Sequence, residues 1–332
     1  MKQLGKRLVW AVFIIWAVVS LTFVIDNVIP SDPARMVAGP QSRPEDVERI
    51  RKQLGLDRPL GVQYGAFLHR IVHFGPSTIA KDDVAHATCA AFGPIHIDLG
   101  KSYQKRRPVV AVLADCVPRT FALAIAAVLV QVLFGVLGGV IAATKRGTTL
   151  DHAAVGISLL GVSAPTFIIG IALQFVLARE LRILPIDGFG RTMTEHIACG
   201  ILPALTLGIF GAAFYTRLMR DEMIGLLKQD YVRTARAKGL SESTVVLRHA
   251  LRNALVPLVT VVGLDLGALM GGAIVTETLF RWPGLGAASV QAVLDRDGPV
   301  IVGAVLVTST AIVMMSVVVD FVYVVLDPRV RG

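Results

Sequence analysis

Apolar residues in this chain come in long blocks instead of alternating with polar ones. Six blocks stand out, near 8–29, 120–144, 153–178, 197–218, 254–278 and 300–326. Each is long enough to cross the ~30 Å hydrocarbon core of a bilayer as a helix. Backbone polar groups find no water there, so a spanning segment must bond to itself. The pattern predicts an all-α polytopic membrane protein with six transmembrane helices. The first block follows Lys2, Lys6 and Arg7. It is too long for the core of a signal peptide and lacks a small-residue cleavage site, so it reads as a retained span. Pro30 and Pro33 end it. Residues 109–119 are expected along the interface ahead of the second span.

Between the first two blocks lies a polar stretch, 30–108, too long for a simple loop. It predicts a small subdomain outside the membrane, with an amphipathic helix over 44–54 (PEDVERIRKQL) and another over 63–74. The chain thus divides into 1–29, 30–108 and a five-helix core, 109–332, with a long polar loop at 219–253.

Composition agrees. Of 332 residues, 54% are hydrophobic and 17% charged, against roughly 25% charged in soluble domains. A net charge of +9 raises nucleic acid as a partner, but the cations cluster between apolar blocks, where topology accounts for them. Lys145 and Arg146, the eight cations from Arg217 to Arg252, and Arg329 and Arg331 fall on the side of the N-terminus if there are six spans. The opposite short loops carry fewer. The positive-inside bias places both termini and 219–253 in the cytoplasm and 30–108 outside. Cys89, Cys116 and Cys199 show no CxxC spacing, which argues against a disulfide framework or zinc ribbon.

No catalytic constellation stands out. Gly100-Lys101-Ser102 resembles the end of a phosphate-binding loop, but that motif needs a glycine where Ile95 stands. An ATPase driving this protein would therefore be another chain. His69 and His73 are spaced i, i+4, with His86, Cys89 and His96 nearby. These spacings match no closed zinc pattern, and no metal site is assigned. The most informative segment is DYVRTARAKGLSESTVVLRHALRNALVP, from Asp230. Tyr231–Lys238 has helical periodicity, Gly239 suits the C′ position, and Ser241 offers an N-cap before a second helix.

This segment resembles the EAA loop of ABC-importer permeases, in the dipeptide, oligopeptide and nickel branch. Arg233 stands at the family's acidic first position, followed by Thr234, Ala235 and then Gly239. Four other segments are similar to the family in the expected order: PSDP at 30–33, DLGKS at 98–102, ETLFRWPGLG at 277–286 and LDPRVR at 326–331. Residues near 75–97 form an insertion relative to it.

The resemblance implies the six-helix fold of a type I ABC importer permease, in the bacterial inner membrane. It implies a subunit without its own ATPase site that forms half of an alternating-access pathway. Expected partners are a second homologous permease, two cytoplasmic ATPases carrying ATP and Mg, an extracytoplasmic substrate-binding protein and lipid, with no nucleic acid. Di- or oligopeptides are the expected cargo, with nickel chelates, glutathione or another small solute as alternatives. A secondary transporter or a membrane-anchored metal enzyme is the contrasting reading.

ATPase coupling falls to Asp230, Tyr231, Arg233, Thr234, Ala235, Arg236, Ala237, Lys238, Gly239 and Leu240. In span five, Gly263, Gly267, Gly271 and Gly272 are expected to line a close-packed face. Asp265 there is expected either to face the pathway or to bond a neighbouring helix, because a charge in hydrocarbon is costly. Glu277, Arg281, Trp282, Pro283, Gly284 and Gly286 would form an external lip toward the binding protein, with the 75–97 insertion on the same side.

Overall fold

The computed structural model describes all residues except 1, 29–32, 40–41, 54, 76–87 and 327–332. Most of the PSDP and C-terminal motifs, and the middle of the insertion with His86, lie outside the described residues.

The chain runs through α1 (Lys2–Val28), α2 (Pro33–Ala38), α3 (Pro44–Gln53), α4 (Leu60–Ile71), β1 (Val72–Phe74), β2 (Cys89–Phe92) and β3 (Ile95–Asp98). Then come α5 (Val109–Thr144), α6 (Thr149–Ser163), α7 (Thr166–Leu173), α8 (Met193–Leu226), α9 (Asp230–Ala237) and α10 (Glu242–Thr244). The last are α11 (Leu251–Met270), α12 (Ile274–Leu279), α13 (Leu285–Leu294) and α14 (Gly298–Leu326). A π-helical turn, Gln174–Glu180, extends α7, and another, Val245–Ala250, joins α10 to α11.

Among the described residues, four helical stretches are long and apolar enough to cross a membrane: Val109–Thr144, Met193–Leu226, Glu242–Met270 and Gly298–Val319. A fifth is a broken pair, Thr149–Gly161 and Thr166–Glu180, bent by 104°. With α1, whose apolar part is Val9–Val24, these are compatible with the six expected spans.

The boundaries differ from expectation in three places. Residues 109–119 form the first turns of α5, continuous with the second apolar block, and Pro118 sits inside that helix. The third block is broken at Pro165, because a proline pushes the preceding residue out of the helical region; Ala164 has φ −81° and ψ 128°. The fifth block stops at Met270, since Gly272 turns the chain with φ +96°. Hydrophobicity continues across both breaks, which is why the apolar pattern hides them. The polar stretch contains the two expected helices, as α3 and α4, and also an unforeseen sheet of order β1-β3-β2, antiparallel throughout.

The chain divides into two compact units, Met1–Pro118 with Ala288–Thr310, and Arg119–Ala287 with Ala311–Gly332. In the first, Phe23 of α1 stacks near Tyr64 and Phe67 of α4, with ring centroids 5.2 and 5.1 Å away. The loop after β3 is held by buried Asp297. Its carboxylate accepts from Ser102 Oγ at 2.5 Å and from the backbone N–H groups of Tyr103 and Gln104 at 3.1 and 3.3 Å. Gly100-Lys101-Ser102 is therefore a structural turn.

In the second unit, α8 is the central helix, packed against α6, α7 and α11. It approaches α5 at backbone distance. A Cβ on Gly139 would stand 2.8 Å from the Thr216 carbonyl oxygen and 3.0 Å from the Arg220 nitrogen. Small residues permit such contact in lipid, where packing rather than water expulsion drives association. Gly139→Leu is expected to destabilise the protein by about 1–3 kcal/mol through overpacking, read as a lower melting temperature in detergent. Gly225→Leu, where a Cβ meets nothing within 4 Å, is expected to have no such effect.

Candidate functional site

The loop after α8 folds into a short, well-terminated helix. Gln229, with extended backbone, precedes α9, and Asp230 in its first turn suits the positive end of the helix dipole. The far end closes as a Schellman motif. Gly239 N–H donates to the Arg236 carbonyl at 2.9 Å, and Leu240 N–H to that of Ala235 at 3.4 Å. Gly239 has φ +77°, a region that favours glycine.

One face of α9 is buried. Val232 and Ala235, three residues apart, pack with Val245 and Leu227. Two polar clamps add to this seam. Arg236 makes a fork to Glu242, with Nη2 2.6 Å from Oε1 and Nε 3.0 Å from Oε2. This bidentate bond crosses the Gly239 turn and ties the end of α9 to the start of the next helix. Asn253 of α11 donates from Nδ2 to Tyr231 Oη at 3.1 Å. The remaining expected residues, Asp230, Arg233, Thr234, Ala237, Lys238, Gly239 and Leu240, are exposed. Arg233 and Asp230 pair at 3.5 Å on the surface.

Leu227, packed against α9, also borders a larger buried cluster. Met219 and Met223 of α8 pack with Val246, Ala250, Ala254 and Leu258 and with Ala143 of α5. Beside it, Arg220 forks onto Asp151 of α6 at 2.7 and 3.0 Å, and Gly147 N–H donates to the same carboxylate at 2.9 Å. Sequence reasoning treated Arg220 as a topology charge and missed Glu242, Asn253 and Asp151. No spacing rule relates partners separated by a turn or by 69 residues.

A family described as binding-protein-dependent transport system inner membrane component matches residues 135–332, and its N-terminal counterpart matches 1–124. The chain belongs to this family. Its relatives include a putative peptide transport system permease of Brucella abortus, 37% identical over 98% of each chain. The glutathione transport system permease GsiC of Escherichia coli K12 is 38% identical over 98% of this chain and 97% of that one. Among solved structures, a chain of the inward-facing MetNI methionine ABC transporter has a TM-score of 0.55 at 18% identity, covering 66% of this chain and 98% of that chain, which shows a shared fold. The protein is a multi-pass inner-membrane permease subunit of an ABC transport system.

In the permease, the span-five residues separate into two groups. Gly263 and Gly267 pack against Val319 and Met315 of α14, while Gly271 and Gly272 form the turn that ends α11. Asp265 accepts a hydrogen bond from the Tyr215 hydroxyl of α8 at 3.2 Å, a contact between two helices.

The ETLFRWPGLG segment is a buried knot. Glu277 accepts from Thr120 Oγ1 and from Ala287 N–H, both at 2.9 Å, and is fully buried. Thr120 Oγ1 in turn accepts from Leu285 N–H at 2.7 Å. Gly284 lies against Thr120 and Glu277, and Gly286 against Glu277 and Ile274, which leaves no room for side chains. Trp282 is buried too. Its indole donates to the Arg119 carbonyl at 3.2 Å and its ring meets Phe189 edge-on at 4.9 Å. Pro283 is half-buried, and Arg281 alone among the six is exposed, 3.3 Å from Asp187.

Two outcomes are expected. Arg236→Met keeps the apolar stem but removes the fork, so limited proteolysis within 237–242 should accelerate while membrane insertion is unchanged. Asp265→Leu should lower the melting temperature more than Asp265→Asn, because asparagine retains an acceptor for Tyr215.

Proposed function

We propose that this permease forms half of the pathway of a peptide importer and that α9 is the lever by which a cytoplasmic ATPase moves it. The observation carrying this reading is a short helix with one buried face, a closed end and two polar clamps, whose other face is exposed and basic. Such a helix can enter a cleft on another protein and still transmit a push to α8 and α11.

The lysine and arginine bias supports placing this loop and both termini in the cytoplasm, with 30–108 outside. A binding protein would deliver cargo on that outer side. Arg281 and the 75–97 insertion are the candidates for contact with it, while buried Glu277 holds the ETLFRWPGLG segment in shape. The second half of the pathway would come from a homologous permease. Two ATPase subunits, with ATP and Mg, would drive closure.

Peptide is favoured as cargo by the names of the Brucella relatives, and glutathione, itself a small peptide, by GsiC at similar identity. Uptake by the reconstituted complex of a labelled dipeptide series against labelled glutathione separates the two.

The coupling role is tested at Gly239. A Cβ there meets no neighbour, so any penalty is conformational, roughly 1–2 kcal/mol for a left-handed residue. Gly239→Leu is expected to assemble with its ATPases yet lose uptake, while Gly239→Asn, which tolerates that conformation, retains most of it. Normal uptake by the leucine variant would remove α9 from the coupling role.

A further inference from the structure

The unforeseen sheet gathers three soft or borderline ligands on one face. His73 of β1 lies directly opposite His96 of β3. Cys89 of β2 lies opposite Asp98, two residues beyond His96. Side chains two apart on a strand share a face, and directly paired residues share it across strands. The antiparallel register therefore collects what linear spacing scatters. The ligand atoms of His73, Cys89 and His96 all lie within 4.8 Å of one another.

The geometry fits a metal ion. With Zn–N near 2.0–2.1 Å and Zn–S near 2.3 Å, a tetrahedral site holds nitrogen and sulfur about 3.6 Å apart. Cys89 Sγ stands 3.7 Å from His73 Nε2. The tautomer is also favourable. His73 Nδ1 is 3.2 Å from the Arg70 carbonyl oxygen, and a carbonyl can only accept. The proton therefore sits on Nδ1, leaving the Nε2 lone pair directed at the cysteine. Orientation of a ligating imidazole by a backbone carbonyl is a common supporting contact in metal centres. His96 is fully buried and half-buried Cys89 adds a thiol, a donor set that suits zinc better than magnesium or calcium.

We propose that His73, Cys89 and His96 bind one Zn²⁺. Binding displaces the thiol proton, so the thiolate is the ligand. The ion would link all three strands, each only three or four residues long, where such short pairing is marginal by itself. The site takes no part in the α9 geometry and does not depend on the transport reading.

The test uses the full chain in detergent, without an affinity tag, stripped by chelation and then titrated with Zn²⁺ and, separately, Co²⁺. The expected result is one equivalent of Zn²⁺ per chain, a raised melting temperature, and a Co²⁺ spectrum with thiolate charge transfer and tetrahedral d–d bands. Cys89→Ser, nearly isosteric, is expected to abolish the charge transfer and weaken Zn²⁺ binding roughly 100-fold. His69→Ala, beside the cluster, is expected to leave both unchanged. Absence of thiolate charge transfer in the native chain, a result independent of any variant's folding, overturns the proposal, as does equal Zn²⁺ affinity in Cys89→Ser.

Discussion

The contact between α5 and α8 at backbone distance is the constraint on which the second unit depends. In lipid, helices gain nothing by hiding apolar side chains from each other, so proximity itself supplies the attraction. Gly135 and Gly139 of α5 face Tyr215 and Met219, and Gly208 and Gly211 of α8 face Val130 and Gln131. Each helix thus accepts the other's side chains into its small positions. Pinned in this way, α8 presents Met219 and Met223 to the cluster beneath α11 and Leu227 to the underside of α9.

The attachment of α9 is economical. Its apolar seam consists of one valine and one alanine on the helix, with Val245 and Leu227 beneath. A seam this small holds direction poorly, and the two clamps supply what it lacks. The Arg236–Glu242 fork fixes the angle at the Gly239 turn, and Tyr231–Asn253 fixes the start of the helix against α11. The opposite face, with Arg233, Ala237 and Lys238, is exposed.

Much of this was legible in the sequence, for definite reasons. The spanning helices follow from block hydrophobicity, and the α9 turn follows from a glycine placed where a helix must stop. The breaks at Pro165 and Gly272 were hidden because apolar residues continue on both sides of them. The sheet was hidden because strands of three and four residues leave almost no alternation to read. Glu277 looked like a lip residue by its external position, but its burial arises from Thr120, 157 residues away, which no local pattern encodes. Arg220 looked like one loop cation among several, and only the packing of α6 on α8 brings it to Asp151.

Asp297 has a consequence for how the protein can be dissected. The carboxylate that closes the Ser102–Gln104 turn comes from almost two hundred residues downstream, and Gly303 on the same later segment lets Val109 and Leu113 pack close. The N-terminal family match ends at residue 124, yet the compact unit that holds its first 118 residues also includes Ala288–Thr310. Cutting the gene at the family boundary would therefore produce a fragment lacking its own closing strap. A chimera that exchanges this unit between relatives must transplant two stretches together, the first 118 residues and the 288–310 segment.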